Sequence, residues 1–138
     1  MPGRARRHFL SIALTALLLT LGAPTVAAAD DGGGSRGEAR VATACGSGTR
    51  AELRVRERDG DLLRIELELS TPQRGSLWSV VIVHERRLVF SGRLLASRGS
   101  LAVRRTVRNW FGEDRVVARA TGPGGMTCRL AGAVDGGD

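Results

Sequence analysis

Two cysteines, Cys45 and Cys128, are the residues best suited to form a covalent bond in this chain of 138 residues. In a short exported chain such a pair favours a disulfide over a metal site or a catalytic nucleophile. Joining them would close a loop of 84 residues, which the chain-entropy model values at roughly 4.5 kcal/mol. The alternative is two free buried thiols. We predict the disulfide, because the first residues of the chain indicate export.

The candidate general base is His84, at the end of an apolar run. A serine nucleophile would need this histidine to be oriented by a carboxylate, and the neighbouring Glu85 points to the opposite face of a strand. A nucleophile elbow is a sharp turn from a strand into a helix, and we predict no helix in this chain. A metal site needs three or four convergent ligands. We interpret His84 as a polar residue at a strand end and predict no enzyme activity, no metal site and no cofactor.

Two pairs of acidic residues could suggest a cation site or an acid–base pair. Asp59 and Asp61 flank Gly60, but two carboxylates are too few for calcium, and Asp-Gly-Asp is ordinary turn chemistry. Glu113 and Asp114 are adjacent, so their side chains would diverge in a strand. We assign turn and strand-entry roles to all four carboxylates.

Arginine is the residue type in excess. All 21 basic residues are arginine, against 14 acidic residues. A nucleic-acid reader needs a concentrated basic stripe with aromatic residues for base stacking, whereas here acidic residues interleave with the arginines. We predict a solvated mixed-charge surface and no nucleic-acid binding; the alternative is binding of an anionic polymer at the cell surface.

Trp110 and Phe111 form the candidate contact patch. They lie between Asn109 and Gly112, in a loop expected at one end of the domain, where such folds commonly bind partners. The alternative is that one or both aromatic side chains fold back and close the end of the core.

The first 29 residues have the pattern of an export signal. Three arginines precede an apolar run of 13 residues, Phe9–Leu21, and small residues follow it as far as Ala29. A membrane anchor would need about 20 apolar residues. We therefore predict a signal peptide over residues 1–29, cleavage between Ala29 and Asp30, a secreted product and no membrane span after processing.

The processed chain is expected to hold one folded domain. Residues 30–43 are Gly-rich, polar and aperiodic, which predicts a flexible linker. Residues 132–138 resemble them and predict a disordered tail. The domain would then occupy residues 44–131.

Alternating apolar residues predict β-strands through this domain, and their parity predicts how the first clear hairpin pairs. Leu53 and Val55 alternate with polar residues, as do the apolar residues of 62–69. All are odd-numbered, so a three-residue loop over Asp59–Asp61 would pair Val55 with Ile65 and Leu53 with Leu67.

The last hairpin turns through Gly-Pro-Gly-Gly. The same parity argument favours a five-residue loop, Thr121–Gly125, which sets Ala118 opposite Cys128 and Val116 opposite Leu130. Arg119 and Arg129 would then point into water.

Trp78 begins a nearly continuous apolar run that ends at Glu85, which predicts a central strand covered on both faces, with Trp78 in the core. Arg87–Leu95 is expected to pair back onto it through a turn at Glu85-Arg86. We predict seven strands in all, with a tryptophan on the third, cysteines on the first and last, and no helix. This pattern predicts an all-β fold, a single immunoglobulin-like β-sandwich whose disulfide protects the sheet edge where the termini emerge.

Several segments resemble the small exported immunoglobulin-like proteins of high-GC actinobacteria. They are Trp78–Val81, Ser97–Arg104 and Asp114–Ala120, with Cys45 before them and Cys128 after a Gly-rich turn. The resemblance spans residues 44–131 and implies the fold and an extracellular location. That group has no established activity.

A second, fainter resemblance is to the actinobacterial apo-chromoproteins, through Leu101–Arg105. Those single-domain proteins carry an apolar small molecule, but they have two disulfides and an aromatic-rich cleft. This chain has one pair of cysteines and few aromatic residues.

The residues favour a non-enzymatic binding or surface-interaction module, acting as a monomer on a protein, a cell-surface polymer or a small ligand. A small-molecule carrier is one alternative, and it needs a pocket of roughly 300–1,000 Å³ lined by apolar groups. A secreted protease inhibitor is another, and Ser70–Ser76 or Gly122–Gly125 would have to serve as its rigid exposed loop.

Overall fold

The computed structural model describes residues 37–59, 61–110 and 112–135, which form two antiparallel four-stranded sheets. The first sheet has the order β1-β2-β3-β6 and the second the order β5-β4-β7-β8. The strands are β1 (Glu38–Gly46), β2 (Thr49–Arg58), β3 (Leu62–Ser70), β4 (Leu77–His84), β5 (Arg87–Leu95), β6 (Ser100–Arg108), β7 (Glu113–Thr121) and β8 (Thr127–Asp135). The all-β sandwich is therefore confirmed. The predicted signal peptide and its cleavage site at Ala29 and Asp30 lie outside the described residues.

Strands β2 to β8 pair as the strands of immunoglobulin-like sandwiches do. In that fold, strand B pairs with E in one sheet, and C pairs with F in the other. Here β3 pairs with β6, and β4 pairs with β7 and with its hairpin partner β5. These seven strands carry the predicted topology, and β1 is an additional strand at the edge of the first sheet.

Strand β1 overturns the predicted linker from residue 38 onward and raises the strand number from seven to eight, so Trp78 lies on the fourth strand. The small residues Ala39 and Val41 point inward with Cys45, although they gave only a weak alternating pattern. β1 turns into β2 through Ser47 and Gly48, which both have positive φ, as two-residue hairpin turns require.

Strand β8 likewise overturns the first part of the predicted tail, because it continues to Asp135. Val134 is buried in the core. β1 packs beside Gly132, since a Cβ at this position would lie in ordinary contact, 3.6 Å from that of Ala39 and 3.8 Å from Val41. The folded domain therefore extends beyond the predicted range 44–131 at both ends.

The predicted register of the first hairpin is confirmed: Val55 lies opposite Ile65, and Leu53 lies opposite Leu67. The register predicted for the last hairpin is wrong by two residues. Ala118 lies opposite Leu130, and Ala120 lies opposite Cys128.

This hairpin loop does have five residues, but it starts one residue later than predicted, because Thr121 stays in the ladder opposite Thr127. A 3-10 turn at Pro123–Gly125 closes the loop, and the Gly122 N–H donates to the Met126 carbonyl. The inward face keeps its even-numbered residues, and Arg119 and Arg129 face water as predicted.

Trp78 is fully buried, as predicted, and it fixes one end of the core. Its indole N–H donates to the Ser76 hydroxyl at 2.9 Å, which satisfies the polar atom of this buried ring. Gly122 lies against the ring, and a Cβ there would approach the indole to 2.6 Å. β4 is central in its sheet, as predicted, but Val81 and Val83 on its outer face are only half-buried.

The disulfide Cys45–Cys128 is present, with the two Cα atoms 5.1 Å apart. It joins β1 of the first sheet to β8 of the second, so it ties together two edge strands across one side of the sandwich. We call this the closed side. The opposite side lies between the edge strands β5 and β6, and no strand pairing joins them in the part of the chain that the structure describes.

Candidate functional site

The side of the sandwich between β5 and β6 carries the positive charge of the domain. We define the open side as Arg86–Gly112, which contains both edge strands, the turn between them and the loop after β6. This segment has no acidic residue and seven arginines: Arg86, Arg87, Arg93, Arg98, Arg104, Arg105 and Arg108. Residues 37–85 and 113–135 together hold ten arginines and eleven acidic residues. The predicted interleaving of opposite charges therefore fails along the open side.

Arginines on the outer face of the first sheet are neutralised by ion pairs. Glu66 is nearly buried and accepts from Arg56 at 3.2 Å and contacts Arg64 at 2.8 Å. Glu52 accepts two bonds from Arg40, at 2.8 and 2.9 Å. This face is the mixed-charge surface that the sequence predicted.

Glu66 gives this ion-pair cluster a pH dependence. Burial raises the pKa of its carboxyl, but the hydrogen bond from Arg56 and the charges of Arg64 and Arg56 outweigh burial, so the pKa lies below its ordinary value of 4.5. Because the folded state favours the ionised form, this stabilisation is complete above the ordinary value and is lost as the pH falls through the lowered pKa.

We predict that Glu66→Gln lowers the free energy of unfolding by about 0.5–1 kcal/mol at pH 7, the range for partly exposed ion pairs. The difference from the wild type should shrink below pH 4.5. Urea unfolding at pH 7 and pH 3 measures both. Glu68→Gln removes the same charge from a side chain that is 63% exposed and is the control. A loss from Glu66→Gln that is equal at both pH values would contradict the assignment.

On the open side, only Arg104 forms an ion pair among the described residues, with Glu66 and Glu68 on the neighbouring strand. Two other arginines stack on aromatic rings. Arg105 of β6 lies over Phe90 of β5, 4.6 Å from the ring centroid. Arg87 of β5 lies over Trp110, at 4.9 Å.

Arg105 reaches from β6 to β5, and Arg87 reaches from β5 to the loop after β6, so each edge strand contributes one guanidinium. The ring contact restrains each guanidinium. Arg105 also donates one N–H to the Arg104 carbonyl at 2.8 Å, and the remaining N–H groups can bind a carboxylate, sulfate or phosphate. The arrangement therefore presents two oriented cations without an acidic partner in the described structure.

Strand β5 also exposes apolar side chains. None of its residues is buried, and Leu88 and Leu95 are 65% and 55% exposed. Leu95 lies opposite Leu77, another exposed leucine. Phe90 is half-buried and folds over Gly92, where a Cβ would come within 2.9 Å of the ring. β5 thus combines a free edge, exposed leucines and arginines.

Trp110 is 45% exposed and is positioned by a buried polar pair. Its backbone N–H donates to Asp114 Oδ2 at 3.3 Å, and Asp114 Oδ1 lies 2.6 Å from His84 Nε2. His84 is 3% exposed and Asp114 is fully buried. Phe111, the other residue of the predicted contact patch, lies outside the described residues.

The His84–Asp114 pair was missed from the sequence, which assigned Asp114 a strand-entry role and found no carboxylate to orient His84. The inward residues of β4 and β7 are even-numbered. His84 and Asp114 are also even-numbered and lie at the ends of these strands, so the same alternation places both side chains in the core. Across the described residues, no hydrogen bond joins His84 to a hydroxyl or a thiol.

The other polar candidates stay apart. Asp59 and Asp61 flank the turn between β2 and β3, and the Asp61 carbonyl accepts the Asn109 N–H, which anchors the start of the Trp110 loop. Within the described ranges, no three His, Cys, Asp or Glu side chains converge as metal ligands. No helix there is long and apolar enough to cross a membrane.

A shallow depression of about 650 Å³ lies on the outer face of the first sheet. Small residues such as Ala42, Ser100 and Ala102 line it, and Arg50 and Glu52 stand beside them. It is open to solvent and mixed in polarity. A carrier of apolar molecules needs an enclosed apolar lining, so this depression gives the carrier alternative no support.

In comparisons with known proteins, no family model, no curated protein and no solved structure matches this chain.

Proposed function

We propose that this chain is a secreted, non-enzymatic binding module that holds an anionic partner on its open side. One observation carries the proposal: the positive excess of the domain is concentrated in Arg86–Gly112, where only one of seven arginines has an acidic partner among the described residues. Unpaired arginines fixed beside exposed apolar side chains are typical of interaction surfaces.

The compartment belongs to the same proposal. The predicted signal over residues 1–29 directs export, and a disulfide persists in oxidising environments outside the cytoplasm. Anionic chains are abundant at cell surfaces, so a basic side on an exported domain would meet such partners. The resemblance to exported actinobacterial immunoglobulin-like proteins agrees with this location.

The charge of the open side can be tested against an equal loss of charge elsewhere. The first variant, Arg87→Gln/Arg93→Gln/Arg105→Gln, removes three arginines from the open side. The control, Arg115→Gln/Arg119→Gln/Arg129→Gln, removes three from the outer face of β7 and β8, where the described structure pairs none of them with an acid.

We expect the first variant to weaken binding to labelled poly-L-glutamate and to dextran sulfate at least tenfold at physiological ionic strength, and the control to weaken it less than threefold. Fluorescence anisotropy measures both affinities, and thermal unfolding verifies that both variants fold. Equal losses in the two variants would show that net charge alone governs binding, and would refute an open-side site.

A further inference from the structure

We propose that the outer edge of β5 binds an extended acidic segment of a partner polypeptide, which adds to the second sheet as a further strand. The inference rests on the proposed function, because it assigns the anionic partner to a chemical class and a mode of binding. It follows from the hydrogen-bonding pattern of β5, the side chains beside its free edge and the absence of acidic residues from the open side.

The free backbone groups of β5 can be identified from its ladder with β4. The Ala96 N–H donates to the Ser76 carbonyl at 2.8 Å, so Ala96 directs its N–H toward β4. Successive residues of a strand direct their backbone groups to opposite edges. Ser91, Arg93 and Leu95 therefore direct their N–H and C=O groups away from β4, toward an edge with no strand beside it in the described structure.

The side chains beside this edge specify the sequence of the added strand. Residues that lie directly opposite each other point to the same face of a sheet. An acidic residue opposite Arg93 would form an ion pair, and an apolar residue opposite Leu95, two positions away, would pack against Leu95 and Leu77. Residues on the other face of the added strand would point toward Phe90 and Arg105, and an acidic residue there would meet a second cation.

A second copy of the chain fits this edge poorly. β5 contains Arg87 and Arg93 and no acidic residue, so two β5 strands side by side would bring arginines together without a counter-charge. Like charges opposite each other destabilise strand pairs, and basic residues on edge strands are a known protection against self-association. An acidic segment is therefore favoured over self-pairing.

Other edges of the sandwich lack this combination. β1 and β8 are joined by the disulfide and packed against each other. β6 has a free edge, but its leucine, Leu101, is buried, and most of its exposed side chains are polar. β5 is the edge strand on which free backbone groups, exposed leucines and arginines coincide.

Peptides that differ only in backbone donors separate strand addition from charge attraction. The probe is an end-capped nine-residue peptide, Glu-Thr-Val-Glu-Glu-Thr-Val-Glu-Glu, in which glutamate and valine alternate along one face of the strand and glutamate recurs on the other face. The comparison peptide has the same sequence with N-methyl groups on alternate residues. Methylation removes the N–H donors of one edge of the peptide and keeps every charge. In strand addition only one edge of the peptide faces β5. Two methylated peptides are therefore made, one with N-methyl groups on the odd-numbered residues and one with them on the even-numbered residues.

On the protein, Ser91→Pro removes an outward N–H without changing the charge, and it leaves the ladder to β4 intact because that N–H points away from β4. Ser91→Ala keeps the N–H and is the matched control. We expect Ser91→Pro to weaken binding of the unmethylated peptide at least tenfold, and Ser91→Ala less than twofold. Of the two methylated peptides, one should bind the wild type at least tenfold more weakly than the parent peptide, and the affinity of the other should fall much less.

The two proposals fail in distinguishable ways. If both N-methylated peptides bind as tightly as the parent and Ser91→Pro has no effect, strand addition is wrong, while retained binding of dextran sulfate would leave an anion-binding open side. If neither peptide nor polymer binds the wild type, the proposed function fails first. Should Ser91→Pro not fold, the peptide comparison with the wild type decides by itself.

Discussion

Removing the disulfide is expected to lower the free energy of unfolding by about 4 kcal/mol, a large share of the total of about 5–15 kcal/mol that is usual for a folded domain. Cys45 and Cys128 are 83 residues apart in sequence. Their bond prevents the unfolded chain from exploring conformations in which these residues separate, and long loops give large effects in the chain-entropy model. The variant is Cys45→Ala/Cys128→Ala, and chemical unfolding at pH 7 measures the change.

Wild-type protein unfolded under reducing conditions is the control for lost packing, because Cys128 is buried and the alanine variant also removes its sulfur. The reduced wild type and the double variant should agree to within about 1 kcal/mol, the cost of a small core truncation. A double variant that loses less than about 1 kcal/mol would show that the noncovalent packing of β1 against β8 is sufficient by itself.

Replacing Asp114 with alanine is expected to cost about 3 kcal/mol, the second largest loss that we predict. The change removes the partner of the buried His84 and also the acceptor for the Trp110 N–H. A buried polar group left without its partner loses its hydrogen bond in the folded state but regains water on unfolding. Urea unfolding measures the loss.

Glu113→Ala is the matched control, since Glu113 is adjacent and exposed and should change stability by no more than about 0.5 kcal/mol. Asp114→Asn keeps an acceptor of the same shape and should lie between the two. If Asp114→Ala is no more destabilising than Glu113→Ala, the pair does not hold the end of β4 to β7, and the Trp110 loop must be positioned by other contacts.

The alternation of inward and outward residues along each strand explains why much of the fold was predictable. Where large apolar residues alternate with charged ones, as from Leu53 to Leu67, a shift of one residue would expose the large side chains. The short turn at Asp59–Asp61 selected among the registers that remain, and the selected register is the observed one. The last hairpin turns through a longer Gly-rich loop that can start at more than one residue, and a shift of two residues preserves its inward face. The predicted pairing of Ala118 with Cys128 failed for this reason.

Strand β1 was missed because its inward residues are small. Ala39 and Val41 bury little area, and the surrounding residues 30–37 have the composition of a linker. Their role is clear only when Gly132 of β8 is seen beside them. The packing of these two edge strands depends on residues distant in sequence, which a local pattern does not contain.

The candidate site was visible in part. The run from Arg86 to Gly112 without an acidic residue can be read directly from the sequence. Its significance depends on the fold, because the acidic residues of β2 and β3 neutralise arginines on the first sheet and only Arg104 on the open side. The His84–Asp114 pair required the inward parity to be extended to polar residues at the strand ends.

The position of the disulfide determines how the domain responds to mechanical force. Cys45 lies near the end of β1 and Cys128 near the start of β8, so tension applied at the two chain ends passes through the sulfur–sulfur bond. Pulling can extend only the residues before Cys45 and those after Cys128. Strands β2 to β7, including the described residues of the open side, carry none of this load, and an anchored chain under shear would keep that surface intact.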